Sequence, residues 1–137
     1  MFISKFSIED WQNNKNYGSL EVPSGWGDIE AAIRKLDGDR RTLVTLEADG
    51  ETHMAIGGGT NKYLVYLTFD NENFNYLVNP SKSDRTETLV VGGQEGIYPA
   101  KWCVDLTTTL KAAKAFAEFG TIEKSVVWER DGVPEMA

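Results

Sequence analysis

Residues 41–69 read RTLVTLEADGETHMAIGGGTNKYLVYLTF, and they decide what kind of fold the chain adopts. Leu43, Thr45 and Glu47 alternate with Val44, Leu46 and Ala48. A period of two puts one set on a core and the other toward solvent, which predicts a strand. Asp49-Gly50 tolerates positive φ and predicts a two-residue turn, so the stretch returns as a β-hairpin. KYLVYLTF, residues 62–69, is apolar on both faces and predicts a third, central strand. Between them stand Gly57, Gly58 and Gly59. A phosphate-binding loop needs Gly-Lys-Ser/Thr and a helix N-terminus directly after the glycines. Here Lys62 is followed by Tyr63 and a strand, and a dinucleotide fingerprint fails for the same reason. The expected role is a bulge or wide turn between two strands. VVGGQEG, residues 90–96, reads as a second Gly-rich strand end.

Working outward, SGWGDIEAAIRKLDGD, residues 24–39, predicts a helix. Asp28 caps its start, Ile29, Ile33 and Leu36 form an apolar stripe with Ala32, and Gly38 stops it. MFISKFSI, residues 1–8, predicts a short strand, and NNKNYGS, residues 13–19, a loop. NFNYLVNP (73–80) and TETLVVGG (86–93) predict further strands, separated by the polar segment SKSDR. VDLTTTLKAAKAFAEFGT, residues 104–121, predicts the second helix. Asp105 or Thr107 caps it, Leu106, Leu110, Ala113, Phe116 and Ala117 share a face, and Gly120 closes it. KSVVWER predicts a last strand, and DGVPEMA a tail. The expected class is α+β: an antiparallel β-sheet of about five to seven strands, with two main helices packed on one face.

The 137 residues suit a single domain, 1–137, with 41% hydrophobic and 11% aromatic residues to build its core. The formal net charge of −7 argues against direct nucleic-acid and anionic-membrane partners. It leaves two readings, a basic protein partner or solubility alone. No run of roughly 18 apolar residues is present to span a bilayer. The N-terminus does not read as a signal peptide, and one unpaired cysteine fits a reducing, cytoplasmic setting. His53 and Cys103 are the sole residues of their types, too few for a zinc site, so no metal and no cofactor is expected. KWCVDL has no catalytic-cysteine pattern, and Cys103 reads as a small buried hydrophobe. DNENFN, residues 70–75, lacks the glycine of a calcium loop. No catalytic residue stands out, and of the catalytic chemistries only a carboxylate pair remains open. Acids interleaved with aromatics near strand ends suit a protein-binding patch, which nominates Asp70, Glu72, Phe74, Tyr76, Glu95 and Tyr98.

The order of motifs carries a resemblance. AIRKLDGDRRTLVTLEADG is followed by MAIGGGTNKYLV, then LVVGGQEGIYP, then DLTTTLKAAKAFAEFGTIEKSVVWE with its F-x-x-x-G and V-x-W-E elements. Over residues 26–129 the chain resembles immunity protein family one of bacterial polymorphic toxin systems, often paired with deaminase toxins. The resemblance implies a small antitoxin rather than an enzyme. Its partner would be the C-terminal domain of a cognate toxin, a nucleic-acid deaminase or nuclease with a basic groove, blocked at its active site or substrate groove. It also implies structural roles for Gly58, Gly59, Phe116, Gly120 and Trp128, with Trp128-Glu129 alternatively on the binding face. Two other readings stay open: a small carboxylate-dependent hydrolase, and a protein-binding module unrelated to toxins.

Overall fold

The computed structural model describes residues 1–82 and 85–130; Ser83 and Asp84 of the polar segment and the tail DGVPEMA lie outside the described residues. In chain order the elements are β1 (Lys5–Ile8), β2 (Trp11–Gln12), β3 (Lys15–Asn16), β4 (Ser19–Glu21), α1 (Trp26–Arg34), β5 (Leu43–Glu47), β6 (His53–Gly59), β7 (Lys62–Thr68), β8 (Phe74–Val78), β9 (Thr86–Val91), β10 (Gln94–Pro99), a 3-10 turn (Ala100–Trp102), α2 (Leu106–Phe119) and β11 (Val127–Arg130). Seven strands form one antiparallel sheet in the order β11-β8-β7-β6-β5-β1-β4. The class is α+β, as expected from the hairpin and the two helical stripes.

The interior strands follow from their side chains. Val44 and Leu46 of β5, Met54 and Ile56 of β6, Val65 and Leu67 of β7 and Leu77 of β8 all point to one face and are fully buried. Ile29 and Ile33 of α1 and Ala113, Phe116 and Ala117 of α2 close the same core from above. Phe116 meets Phe2 edge to face, with ring centroids 5.7 Å apart. Full burial of such a ring contributes on the order of 2–3 kcal/mol by area alone.

Helix ends differ from the sequence expectation in detail. Asp105 caps α2 by accepting from the Thr108 amide at 2.8 Å, and Gly120 ends it at φ 68°. In α1 the capping position is Gly25. Asp28 sits in the first turn and reaches back, accepting from the Ser24 amide and hydroxyl at 2.8 and 2.7 Å. The helix ends at Arg34, before Gly38. Gly38 belongs instead to a turn in which the Asp37 carboxylate collects the amides of Asp39, Arg40 and Arg41 at 2.9–3.0 Å. Three amides on one carboxylate stabilise that turn against continued helix.

The second face of the sheet is partly roofed. TETLVVGG, expected in the sheet, instead pairs as β9 with β10 to make a separate hairpin. That hairpin lies on the side away from the helices, where Leu89 is buried with Leu64 and Cys103. The outer place in the sheet goes to β4, which pairs with β1. All three β4 residues are exposed, so no alternation marks them as a strand. The stretch 13–19 is likewise not all loop, since Lys15–Asn16 pairs with Trp11–Gln12.

The triple glycine is neither a bulge nor a wide turn. β6 runs through all three residues, paired from Gly57↔Leu64 to Gly59↔Lys62. The turn is the next dipeptide, Thr60-Asn61, at φ 53° and 64°. Two successive positive φ values suit the twist of a two-residue hairpin. The glycines are there for what comes close. A methyl group on Gly57 would collide with Val91 of the roofing hairpin, 2.5 Å away. On Gly58 it would strike the Lys62 carbonyl, and on Gly59 the Asp37-Gly38 backbone. Gly58 and Gly59 also hold φ 96° and 151°. By contrast the Asp49-Gly50 connection is longer than two residues: Glu47 pairs with His53, and the Ala48 amide donates to the Thr52 carbonyl at 3.0 Å.

Gly59→Ala is therefore expected to destabilise the protein by at least about 1–3 kcal/mol from backbone strain alone. Gly27→Ala, in the first turn of α1 with nothing within 4 Å of the added methyl, is expected to be neutral or stabilising. Denaturant midpoints of the two variants check this contrast.

Candidate functional site

Register puts a defined set of side chains on the sheet face away from the helices. His53 lies opposite Thr68, Ala55 opposite Tyr66, Tyr66 opposite Tyr76, and Thr68 opposite Phe74. The β9–β10 hairpin covers this face over Gly57 and Leu64. Toward His53 it does not reach. Strand rise sets the distance from Gly57 to His53 at about 13 Å.

From the uncovered part inward to the cluster beneath the hairpin, which Tyr76 and Trp102 join, the rings touch in sequence. His53 and Tyr66 have centroids 5.6 Å apart, Tyr66 and Phe74 5.4 Å, and Tyr66 and Tyr76 6.0 Å. Tyr76 then stacks on Trp102 at 4.1 Å with an interplanar angle of 5°. Edge-to-face and stacked contacts of this kind are favourable beyond area burial and hold the rings in fixed orientations. All five are half-buried. The histidine ring is fixed at both nitrogens. Nδ1 lies 3.0 Å from the Glu51 carbonyl, which can only accept, so Nδ1 carries the proton. In the neutral ring Nε2 then accepts from the Tyr66 hydroxyl at 3.3 Å. Burial pushes the Tyr66 phenol up from its ordinary range, so it stays protonated for that bond. The Trp102 indole nitrogen is buried, with no hydrogen-bond partner among the described residues.

Two turns rim the uncovered end. The β5–β6 turn carries Asp49 and Glu51, and the β7–β8 turn carries Asp70 and Glu72. The Thr52 hydroxyl donates to the Phe69 carbonyl at 3.0 Å and ties the two turns side by side. Asp70 builds its own turn: it accepts from the Glu72 and Asn73 amides at 2.9 and 2.8 Å and from the Asn73 side chain at 2.7 Å. Those hydrogen bonds, the Asn73 amide first, hold its carboxyl down at about 2.

The nominated residues thus fall into four places. Phe74 and Tyr76 are in the ring series, and Asp70 and Glu72 are on its rim. Tyr98, on the hairpin, packs against the same buried cluster of Leu64, Leu89 and Cys103 as Tyr76 and Trp102. Glu95 is exposed on the outer side of the hairpin, opposite Val90, and does not join the others. Sequence reasoning missed His53, Tyr66 and Trp102, and Asp49 and Glu51. Carrying the alternation of β5 through the expected two-residue turn would have paired His53 with Leu46 on the core face; the longer connection pairs it with Glu47 and so puts it on this one. Trp102 arrives on a 3-10 turn, for which the sequence gives no period. Trp128 points to the helix side, where it packs on the core and donates to the Glu123 carbonyl at 2.9 Å. Glu129 points the other way and pairs with Lys101 at 2.8 Å.

Elsewhere, Glu21 and Asp28 line one shallow pocket with Lys35. Hydrogen bonds from Ser24 keep the Asp28 carboxyl below its usual range, so it is an anion rather than a proton donor. Among the described residues, no three His, Cys, Asp or Glu side chains converge to hold a metal ion. Nor is any described helix long and apolar enough to cross a membrane.

The family model Immunity protein Imm1 matches residues 19–130. The chain belongs to the Imm1 family. No curated protein and no solved structure matches it. The Imm1 match begins with β4 rather than at Trp26 and ends with β11. It therefore takes in both outer strands of the sheet, both helices, the hairpin and every ring of the series. The first strand of this Imm1 protein lies before the match, yet β1 is wedged between β5 and β4.

Because the Asp70 carboxyl is depressed in the folded state, its stabilising effect is present above the ordinary value of 3.8 and lost as pH falls toward about 2. Asp70→Asn is expected to lower the melting temperature at neutral pH and to flatten its decline across that acid window, as thermal melts against pH would show. Burial pushes the Cys103 thiol up to about 11. It should resist alkylation in the native protein at pH 8 and react promptly in denaturant.

Proposed function

We propose that this Imm1 protein neutralises the C-terminal domain of a cognate toxin by stoichiometric binding, making no covalent change itself. The toxin domain acts on nucleic acid, as a deaminase or nuclease, and the bound immunity protein covers its active site or substrate groove. Both proteins meet in the cytoplasm. The observation that carries this reading is the family match over the fold, joined to an uncovered, ring-lined sheet face rimmed by carboxylates. A groove that binds nucleic acid is basic. A chain of net charge −7 is drawn to it, and desolvated rings then supply contact energy. The proposed contact residues are Asp70, Glu72, Phe74, Tyr76 and Tyr98, with Glu95 as an outlying contact on the hairpin.

Co-expression with the C-terminal domain of the toxin encoded next to this gene tests the reading. The expected result is survival of cells that otherwise die and recovery of a one-to-one complex. Electrostatic attraction also predicts that affinity falls as salt rises from low to physiological strength, where charges more than about 8 Å apart are screened. Death despite equal expression, or the absence of a complex, would rule the reading out.

A further inference from the structure

The sheet face away from the helices is divided by charge. Under and beside the hairpin its acids are neutralised within the chain: Glu87 pairs with Lys62 at 2.8 Å and Lys82 at 3.1 Å, and Glu129 with Lys101. At the uncovered end, among the described residues, Asp49, Glu51, Asp70 and Glu72 take part in no ion pair. Between them lie the faces and edges of His53, Tyr66 and Phe74. An unneutralised carboxylate rim around fixed rings matches one kind of guest. A guanidinium stacks on an aromatic face and donates two parallel hydrogen bonds to a carboxylate. An aliphatic or acidic segment gains nothing from the rim.

We infer that the bare end of the sheet is where the toxin domain docks, with an arginine of its basic groove seated against Tyr66 and Phe74 and neighbouring cations paired with Asp49, Glu51 and Glu72. The inference rests on the immunity reading above and adds the face, the partner chemistry and residues that no motif supplies. Pre-organisation favours it. The His53–Tyr66 hydrogen bond and the Thr52–Phe69 tie hold rings and rim in place before binding, so little ordering is lost on contact. Asp70 contributes charge, but its oxygens are engaged in its turn, so the three other acids make the direct pairs.

The test uses the full chain and the toxin domain that it protects against. One variant combines Asp49→Lys, Glu51→Lys and Glu72→Lys, all exposed, leaving Asp70 to hold its turn. A control reverses the helix side with Lys111→Glu and Lys114→Glu. Melting curves verify that both variants are folded. The rim variant is expected to bind about 100-fold or more weakly, with a shallower salt dependence, and the control within about threefold of the wild type. Hydrogen exchange on the wild-type complex supplies a second readout, with protection expected at residues 49–53 and 66–76. A wild-type chain that binds and protects while the rim variant does so equally well, or protection confined to α1 and α2, overturns the docking face alone. A wild-type chain that neither binds nor protects overturns the immunity reading and this inference with it.

Discussion

The pairing of β6 with β7 is the constraint on which the rest depends, because both strands are buried on both faces. Strands of that kind need cover on two sides, and here the two sides are covered differently. Two helices press on one face through Ile29, Ile33 and Phe116. On the other, the β9–β10 hairpin settles directly over Gly57, and the Asp37 turn abuts Gly59. Side chains at those positions would hold the layers apart. The Thr60-Asn61 turn then hands the chain back in register, and the Asn61 side chain accepts from the Leu106 amide at 2.9 Å at the start of α2. One pair of strands thereby locates both helices, the roof and the turn.

That arrangement also explains why a usable surface exists. The hairpin lies over the glycine end of β6, so the opposite end of the same face is left without a roof. Large rings fill the gap on Tyr66, Phe74 and Tyr76, partly shielding the sheet and partly facing solvent. Where aromatic side chains stand together on an open sheet face, binding is a natural use for them. The acids of the two adjacent turns give that surface a sign. On the proposed reading a stoichiometric inhibitor needs a rigid, charge-matched face more than a pocket, and the ring contacts and the tied turns supply rigidity.

By itself the sequence determined the class of fold, the two helices, the core stripe and the absence of a phosphate loop at the glycines. These are local matters: alternation, capping and the residue after a glycine run are readable within a dozen positions. Gly120 as a cap, Asp105 at the start of α2 and the buried thiol of Cys103 follow from neighbours along the chain. Phe74, Tyr76, Asp70 and Glu72 were likewise visible as an aromatic-and-acid stretch.

Only the tertiary structure decided what the triple glycine is for, that TETLVVGG leaves the sheet to roof it, and that the exposed residues of β4 complete its edge. It also decided that His53, Tyr66 and Trp102 line up with Phe74 and Tyr76 while Glu95 stands apart. The physical reason is the same in each case. Close approach of Val91 to Gly57, pairing of β1 with β4, and ring contacts between β6, β7, β8 and a 3-10 turn are all made by residues far apart in the chain, where no local period or propensity marks the partner.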